Sequence, residues 1–253
     1  MSKLGWVSIA LIGIVPFLLS SGCGVHYQPT TIESPLMPGA DFVGTESCEA
    51  CHDEIAAQFA RTEHGRFISE GEAEKERICE MCHGPGSVHM EKAGEEAPDL
   101  RKYIIRSQAE TCYQCHLDVQ ATFNLPYHHP VPEGRMHCTS CHTIHDTGIL
   151  STRFMEPGDL CFDCHQEKRG PFVWEHQALR EGCEACHNPH GSVEDQLLTE
   201  NNRNLCLKCH YQGDFPNDIG SFSHRTLLSG TSRCIDCHPQ IHGSNFSRFW
   251  LGP

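Results

Sequence analysis

The chain has 253 residues, a formal net charge of −14, 17 cysteines and 19 histidines. The acidic balance and the lack of a basic stripe in the sequence exclude a nucleic-acid-binding protein. Only 38% of the residues are hydrophobic, so the sequence does not supply a large aliphatic core.

The first 22 residues have the features of a bacterial export signal. A lysine precedes an apolar run over residues 4–19, which is short and contains Pro16. Such a run does not predict a membrane span. Small residues then lead into Cys23, although Ser20 stands where lipoprotein signals usually have leucine. We expect a lipoprotein-type signal peptide over 1–22 and a lipid on Cys23; ordinary cleavage nearby or an uncleaved anchor are the alternatives.

Residues 23–40 carry three prolines and predict an extended tether between the lipid and the remaining domain, residues 41–253. Gly24 is not the aspartate that retains lipoproteins at the inner membrane. We therefore expect a protein that is exported, lipid-anchored and attached to the periplasmic side of the outer membrane.

Eight copies of Cys-x-x-Cys-His follow, and they use 16 of the 17 cysteines. This spacing is the attachment signature of c-type haem, in which two thiols bond to the haem and the adjacent histidine ligates its iron. A single copy is also compatible with a zinc half-site or a disulfide, but eight copies favour haem. We predict eight haem c groups, bound by Cys48, Cys51 and His52; Cys79, Cys82 and His83; Cys112, Cys115 and His116; Cys138, Cys141 and His142; Cys161, Cys164 and His165; Cys183, Cys186 and His187; Cys206, Cys209 and His210; and Cys234, Cys237 and His238.

The ratio of chain to cofactor predicts the fold class. Residues 23–253 provide about 29 residues for each motif, too few to enclose each haem in its own aliphatic core. The haems themselves must then form the core and lie close together. We predict a multihaem cytochrome c that is mostly coil with short α-helices and little or no β-structure. Residues 53–80 predict a helix broken at Gly65 and Gly71, residues 107–118 and 200–210 predict helices ending in a motif, and residues 91–101 predict an acidic loop.

The remaining histidines repeat with the motifs. Each of four units, over residues 48–89, 112–145, 161–190 and 206–242, has a motif, a lone histidine, a second motif and a trailing histidine. Such repetition predicts an extended array of two-haem units. We predict that these histidines are the second, distal iron ligands: His64, His89, His129, His145, His176, His190, His224 and His242.

Several assignments around these histidines stay open. His129 is preferred over its neighbour His128, and His26 and His137 are spare. A trailing histidine lies too close to its own motif to cross its own haem, so we expect it to serve a neighbouring one. An aromatic residue precedes each lone histidine and is a candidate to pack on a haem or in the core: Phe59, Tyr127, Trp174 and Phe222. The less favoured alternative ligands are Met81, Met90 and Met136.

Two histidines on each iron close both axial positions, so the predicted chemistry is the transfer of single electrons along a row of haems rather than catalysis. An enzyme would need one open iron. All eight motifs end in histidine, and the distal histidines suffice for every iron.

Three segments resemble the periplasmic multihaem cytochromes of outer-membrane porin–cytochrome conduits. These segments are CEMCHGPGSVH, NLPYHHPVPEGRMHCTSCHTIHD and GPFVWEHQALREGCEACHNPHGS. That family is typified by the decahaem subunit of metal-reducing bacteria and its relative in dimethyl-sulfoxide respiration. With eight motifs and a lipid signal, the chain is most similar to the octahaem subunit of Geobacter-type conduits.

The resemblance implies a role and partners. Electrons would enter from periplasmic cytochromes, cross inside an outer-membrane β-barrel porin, and leave to an outer-surface multihaem cytochrome for respiration of metal oxides. A diffusing periplasmic shuttle or an extracellular filament subunit would have the same ligation, and an octahaem reductase is the third alternative.

Overall fold

The computed structural model describes residues 33–70, 75–96, 98–145, 158–210 and 232–251. All of them belong to one structural unit, residues 32–253. Cys23, His26, Phe222 and His224 lie outside the described residues, as does Gly71.

Short helices separated by turns make up the described residues. The α-helices are α1 (Thr45–Glu49), α2 (Asp53–Phe59), α3 (Glu63–Glu70), α4 (Glu80–His83), α5 (Ser87–Ala93), α6 (Ala109–Tyr113), α7 (Leu117–Phe123), α8 (Asp159–Phe162) and α9 (Asn202–Leu207). Short 3₁₀ turns lie at Lys75–Arg77, Leu100–Lys102, Cys138–Ser140, Gln166–Lys168, Gln177–Glu181, Cys183–Ala185, Asp195–Leu197 and Cys234–Asp236. In this part of the chain β-pairing is limited to isolated bridges, which confirms the predicted fold class.

The predicted break at Gly65 is wrong. Gly65 lies inside α3, and the chain breaks between α2 and α3. The buried Thr62 side chain causes the break: its hydroxyl donates to the Phe59 carbonyl at 2.7 Å and accepts from the Gly65 amide at 3.0 Å. A threonine that bonds neighbouring backbone groups competes with helix continuation.

The predicted helix over 107–118 is two helices, α6 and α7, with the end of the third motif between them. The prediction for 200–210 is confirmed, because α9 runs into the seventh motif. The predicted loop over 91–101 begins later than expected, because α5 extends to Ala93. At the start of the described chain, the Glu33 backbone exchanges two hydrogen bonds with the Gln114 side chain, at 2.7 and 2.9 Å.

The apolar core is small. The buried hydrophobic residues in the described part are Met81, Ala109, Phe123, Val131 and Leu198. Around the cluster of Ala109, Phe123 and Val131, the partly buried side chains of Tyr113 and Met136 add contact. Such a core is far too small to hold the described residues in one unit by itself, so other groups must complete it.

Two antiparallel bridges join segments that are distant in sequence. Tyr127 pairs with Ser192, and Trp174 pairs with Ser244. In both bridges a segment ending in a lone histidine docks on a His-Gly-Ser segment of the following unit. The bridges therefore tie successive units of the repeat together.

Candidate haem-binding sites

All eight motifs fold into the same tight turn. In each, the backbone amide of the motif histidine donates to the carbonyl of the first cysteine, over 2.8–3.0 Å. This is the hydrogen bond of one helical turn, which brings side chains three and four residues apart to the same side. Each motif therefore presents two thiols and one imidazole together, as covalent haem attachment requires.

Seven of the motif histidines face a second imidazole. The ring centroids are 5.8–6.3 Å apart in every pair: His52 with His89, His83 with His145, His116 with His64, His142 with His190, His165 with His129, His187 with His242, and His210 with His176. The first residue of each pair belongs to a motif, and the second is one of the candidate distal histidines. For His238 of the eighth motif, the candidate partner His224 lies outside the described residues.

The separation suits an iron atom between the two rings. An imidazole nitrogen binds a metal ion at about 2.0–2.1 Å and the ring centroid lies about 1.1 Å behind it, so rings on opposite sides of one iron have centroids about 6.3 Å apart. The described residues contain no group of three or more His, Cys, Asp or Glu side chains placed to hold a metal ion. The donor set of two thiols and two opposed imidazoles fits haem c.

The pairing crosses the boundaries between units. The lone histidine of each of the first three units faces the first motif of the next unit: His64, His129 and His176 face His116, His165 and His210. Trailing histidines face backward: His145, His190 and His242 face the second motif of the preceding unit. The first unit is the exception, because its trailing His89 faces its own first motif. Neighbouring units are thus interlocked rather than self-contained.

The motif cysteines order the sites along one row. Within each unit the first cysteines of the two motifs touch: Cys48 with Cys79, Cys112 with Cys138, Cys161 with Cys183, and Cys206 with Cys234. Between units the second cysteines are neighbours: Cys82 with Cys115, Cys141 with Cys164, and Cys186 with Cys209. Burial raises the pKa of the Cys79 thiol to about 12. These proximities alternate along the chain, so each motif lies near the motif before it and the motif after it.

Burial favours the neutral form of six of the facing imidazoles. Burial, followed by the neighbouring His116, lowers the pKa of His64. Burial also lowers the pKa of His142, His145, His176 and His190, and it lowers that of His242 to about 4. A neutral imidazole is the form that ligates a metal.

Backbone carbonyls fix the orientation of many of these rings. The Nδ1 atom donates to a carbonyl in His83 (Ile105, 2.9 Å), His89 (Leu100, 3.3 Å), His129 (Pro189, 2.7 Å), His187 (Gln196, 2.8 Å) and His238 (Phe249, 2.7 Å). This bond leaves Nε2 for the metal and fixes the tautomer. A cleft lined by Phe172, His242 and Phe246 opens at this site.

Three buried polar atoms in the described residues have no hydrogen-bond partner: His64 Nδ1 and the hydroxyls of Tyr113 and Thr143. Tyr113 lies within the third motif, and Thr143 directly follows the fourth. His64 faces the histidine of the third motif. These orphaned groups gather where two neighbouring haems would sit.

The structure distinguishes His128 from His129. In His128 both ring nitrogens are engaged: Nδ1 donates to the Leu125 carbonyl at 2.6 Å and Nε2 contacts the Glu133 carboxylate at 3.0 Å. The hydrogen bond to the Glu133 carboxylate raises the pKa of His128, so this ring stays protonated to a higher pH than an ordinary histidine, and a protonated imidazole does not ligate a metal. His129 has a free Nε2 and faces His165.

The remaining candidates have other positions. His137 is exposed, and Met90 is 45% exposed. Met81 is buried, and Met136 packs on the Ala109 cluster. Two aromatic rings contact candidate distal histidines: Phe59 lies against His145, and the ring centroid of Trp250 lies 5.0 Å from that of His176.

A family model described as "Doubled CXXCH motif" matches residues 128–170 and 176–214. The chain is also 30% identical over 251 residues to the multihaem cytochrome MtrA of Shewanella baltica (strain OS185), an alignment that covers 88% of this chain and 73% of the relative. The chain belongs to the MtrA family of multihaem cytochromes. This confirms the expected relationship to multihaem c-type cytochromes. In the part of this MtrA-family chain that the structure describes, no helix is both long and apolar enough to cross a bilayer.

Proposed function

We propose that this MtrA-family cytochrome conducts electrons along a row of eight c-type haems, each ligated by two histidines. The observation that carries the proposal is the set of seven facing imidazole pairs, joined into one series by alternating cysteine contacts. An isolated redox centre needs no such series. A continuous row of similar centres suits transport from one end of the molecule to the other.

The protein residues have three roles in this proposal. Each motif's thiols bind a haem covalently, and its histidine is the proximal ligand. Each distal ligand binds the haem of the motif that it faces; these ligands are His64, His89, His129, His145, His176, His190 and His242. His224 is assigned to the haem of His238, because these are the one candidate distal histidine and the one motif histidine left after the seven pairs. When bound, each haem supplies an iron that accepts and releases one electron.

Closed coordination favours a carrier over an enzyme. Two histidines on an iron leave no position for a substrate. In the five rings that donate Nδ1–H to a backbone carbonyl, this bond holds one orientation, so these ligands need not rearrange when an electron arrives. A reductase would instead require at least one iron with a free axial position.

The cellular setting of the proposal rests on family membership. We propose that the chain is exported and lipid-anchored at Cys23, and that it lies within an outer-membrane β-barrel porin. Periplasmic cytochromes would deliver electrons, and an outer-surface multihaem cytochrome would receive them for respiration of metal oxides. The similarity to the Shewanella baltica protein over most of both chains supports this setting.

The first test counts and classifies the haems. The intact protein is purified, haem is quantified against protein mass, and the ferric sample is examined by electron paramagnetic resonance. We expect eight haems, all low-spin. A stoichiometric high-spin haem would show an open iron and favour the reductase alternative.

The second test addresses transport across a membrane. The cytochrome is coexpressed with candidate barrel proteins, and any complex is reconstituted in liposomes that contain a reduced dye. A soluble ferric acceptor is then added outside. Dye oxidation with the complex, but not with the barrel alone, supports the conduit. A cytochrome that never copurifies with a barrel would favour the shuttle alternative.

A further inference from the structure

Left-handed backbone occurs at two turns that adjoin motif histidines. Among the described residues, the non-glycine residues with a positive φ are Gln196 (57°), Leu197 (61°) and Trp250 (55°). A side chain in this region strains the backbone, and the conformation persists only where surrounding contacts hold it. The contacts of these two turns therefore show what the strain is used for.

The turn that contains Trp250 bonds the eighth motif through two consecutive carbonyls. The Phe249 carbonyl accepts a hydrogen bond from His238 Nδ1 at 2.7 Å. The Trp250 carbonyl accepts from the Gln240 amide at 3.1 Å, and the Trp250 amide donates to the Ser247 carbonyl at 3.1 Å. Because the φ of Trp250 sets the direction of the planar peptide group before it, a change of φ would turn the Phe249 carbonyl away from His238.

The same arrangement occurs at the sixth motif. The Gln196 carbonyl accepts from His187 Nδ1 at 2.8 Å, and the next carbonyl, that of Leu197, accepts from the Asn188 amide at 2.7 Å. A carbonyl on Nδ1 fixes the orientation of a ligating imidazole and raises the basicity of its other nitrogen. The recurrence at two motifs indicates that a left-handed turn of this kind orients a proximal iron ligand.

Trp250 also contacts a candidate distal histidine of the third unit. Its ring centroid lies 5.0 Å from that of His176, within the range of favourable ring packing. The indole Nε1–H donates to the Trp174 carbonyl at 3.2 Å, which anchors the indole. The His176 ring is also hydrogen-bonded to the Ile241 backbone, so the indole packs against a ring that is already fixed at one nitrogen. His176 faces His210, the histidine of the seventh motif.

We propose that Trp250 is a positioning residue shared by the haem sites of the seventh and eighth motifs. Its indole holds the distal His176, and its left-handed backbone holds the proximal His238, so one residue couples the ligands of two successive irons. The anchored indole also keeps Trp250 at its strained φ. The two roles are separable, because glycine adopts a positive φ without strain, whereas alanine does not. This inference rests on the bis-histidine ligation of the proposed function.

The test compares Trp250→Gly with Trp250→Ala in the intact holoprotein. Electron paramagnetic resonance of the ferric form and a potentiometric titration followed by haem absorbance are recorded for both. Both variants lose the indole, but only the alanine variant also leaves the left-handed conformation. We expect one haem with shifted low-spin g values and a shifted midpoint potential in Trp250→Gly, and two such haems in Trp250→Ala.

Removal of the seventh haem assigns the shifted signals. Adding Cys206→Ala and Cys209→Ala should leave no shifted haem in the glycine variant and one in the alanine variant, relative to the same double cysteine variant with Trp250 intact. Phe249→Ala is the matched control, because it truncates a neighbouring aromatic side chain that is 52% exposed and keeps the backbone carbonyl. We expect Phe249→Ala to match the wild type in both measurements.

Each other result overturns the proposal. Unshifted haems in both Trp250 variants would show that other contacts suffice to hold His176 and His238. Equal numbers of shifted haems in the two variants would show that the left-handed backbone has no separate role, and shifts in Phe249→Ala would show a general loosening of this segment. A fully low-spin wild type with unshifted Trp250 variants would leave the proposed electron transfer intact and refute only the role of Trp250.

Discussion

His129 and Pro189 are 60 residues apart in the sequence, and a hydrogen bond of 2.7 Å joins the imidazole Nδ1 of the first to the carbonyl of the second. Pro189 lies between the sixth motif and His190, which itself faces His142 of the fourth motif. One short segment of the third unit therefore has two roles. Its Pro189 carbonyl orients His129 of the second unit, and its His190 faces His142 of the same second unit. Two candidate iron sites on either side of the unit boundary depend on this contact.

Replacing His129 with alanine should open one haem. The iron attached through Cys161 and Cys164 would lose its distal ligand and become high-spin or accept a substitute, giving one altered haem per chain in the electron paramagnetic resonance spectrum. His128→Ala is the matched control, because His128 bonds Leu125 and Glu133 with both nitrogens. If His128→Ala, and not His129→Ala, produced the high-spin signal, the assignment of these two histidines would be reversed.

The sequence alone predicts the positions of the motifs and the inventory of candidate ligands, because both follow from local spacing. It does not predict which histidine faces which motif. His145 is three residues after His142, yet its ring faces His83 in the preceding unit. Such a pairing depends on how the units pack, and with so few apolar residues the hydrophobic pattern carries little information about that packing.

Two smaller features also depend on contacts that the sequence pattern alone does not predict. Gly65 suggests a helix break by its low propensity, but the side-chain bonds of Thr62 determine where the helix breaks. Phe59 precedes the lone His64 in the sequence, but its ring lies against His145 of the next unit, a contact that local spacing does not predict. The recurring His-Gly-Ser at 190–192 and 242–244 was the available signal for the bridges to Tyr127 and Trp174, and it is visible in the sequence.

The backward assignment of His242 can be tested by combining substitutions. His242→Ala should produce one high-spin haem, since His242 faces His187 at 6.1 Å. Adding Cys183→Ala and Cys186→Ala, which removes the haem of that motif, should abolish the high-spin signal and leave seven haems.

The control for this experiment removes the neighbouring haem instead. His242→Ala combined with Cys234→Ala and Cys237→Ala should also leave seven haems but keep the high-spin signal. The opposite pattern would assign His242 to the eighth motif, four residues before it in sequence.

Glu80 stabilises the first unit through a buried carboxylate. Glu80 is only 1% exposed. Its carboxylate accepts hydrogen bonds from the backbone amides of Val43, Gly44 and Gly86, each at 2.9 Å. Glu80→Ala leaves these three donors without an acceptor, which should destabilise the protein by about 3 kcal/mol. For a chain of this size that corresponds to a fall in melting temperature of about 6–12 °C.

Thermal denaturation followed by circular dichroism measures the effect of Glu80→Ala. Glu80→Gln keeps one acceptor oxygen and should lie between the wild type and the alanine variant. The exposed Glu96 provides the control, and Glu96→Ala should change stability by less than about 0.5 kcal/mol. Equal melting temperatures for Glu80→Ala and Glu96→Ala would show that the carboxylate does not hold the segment before α1.

Gly191 permits the close approach of two units. A Cβ at this position would lie 2.2 Å from the Thr122 carbonyl oxygen, and because that atom belongs to the backbone of α7 it cannot rotate away. Gly191→Ala should therefore cost about 1–3 kcal/mol through overpacking. The displacement would also reach the adjacent His190 and the Tyr127–Ser192 bridge that precedes His129.

Gly94→Ala is the matched control for Gly191→Ala, since a Cβ there meets its nearest neighbour, the Glu91 carbonyl oxygen, at an ordinary 3.6 Å. Melting temperature and the electron paramagnetic resonance spectrum should be recorded for both variants. We expect Gly94→Ala to match the wild type, and Gly191→Ala to melt earlier with altered signals from the haems that His129 and His190 serve. If Gly191→Ala lowered stability without any spectral change, the contact between Gly191 and α7 would contribute to packing alone. The orientation of His129 and His190 would then have another cause.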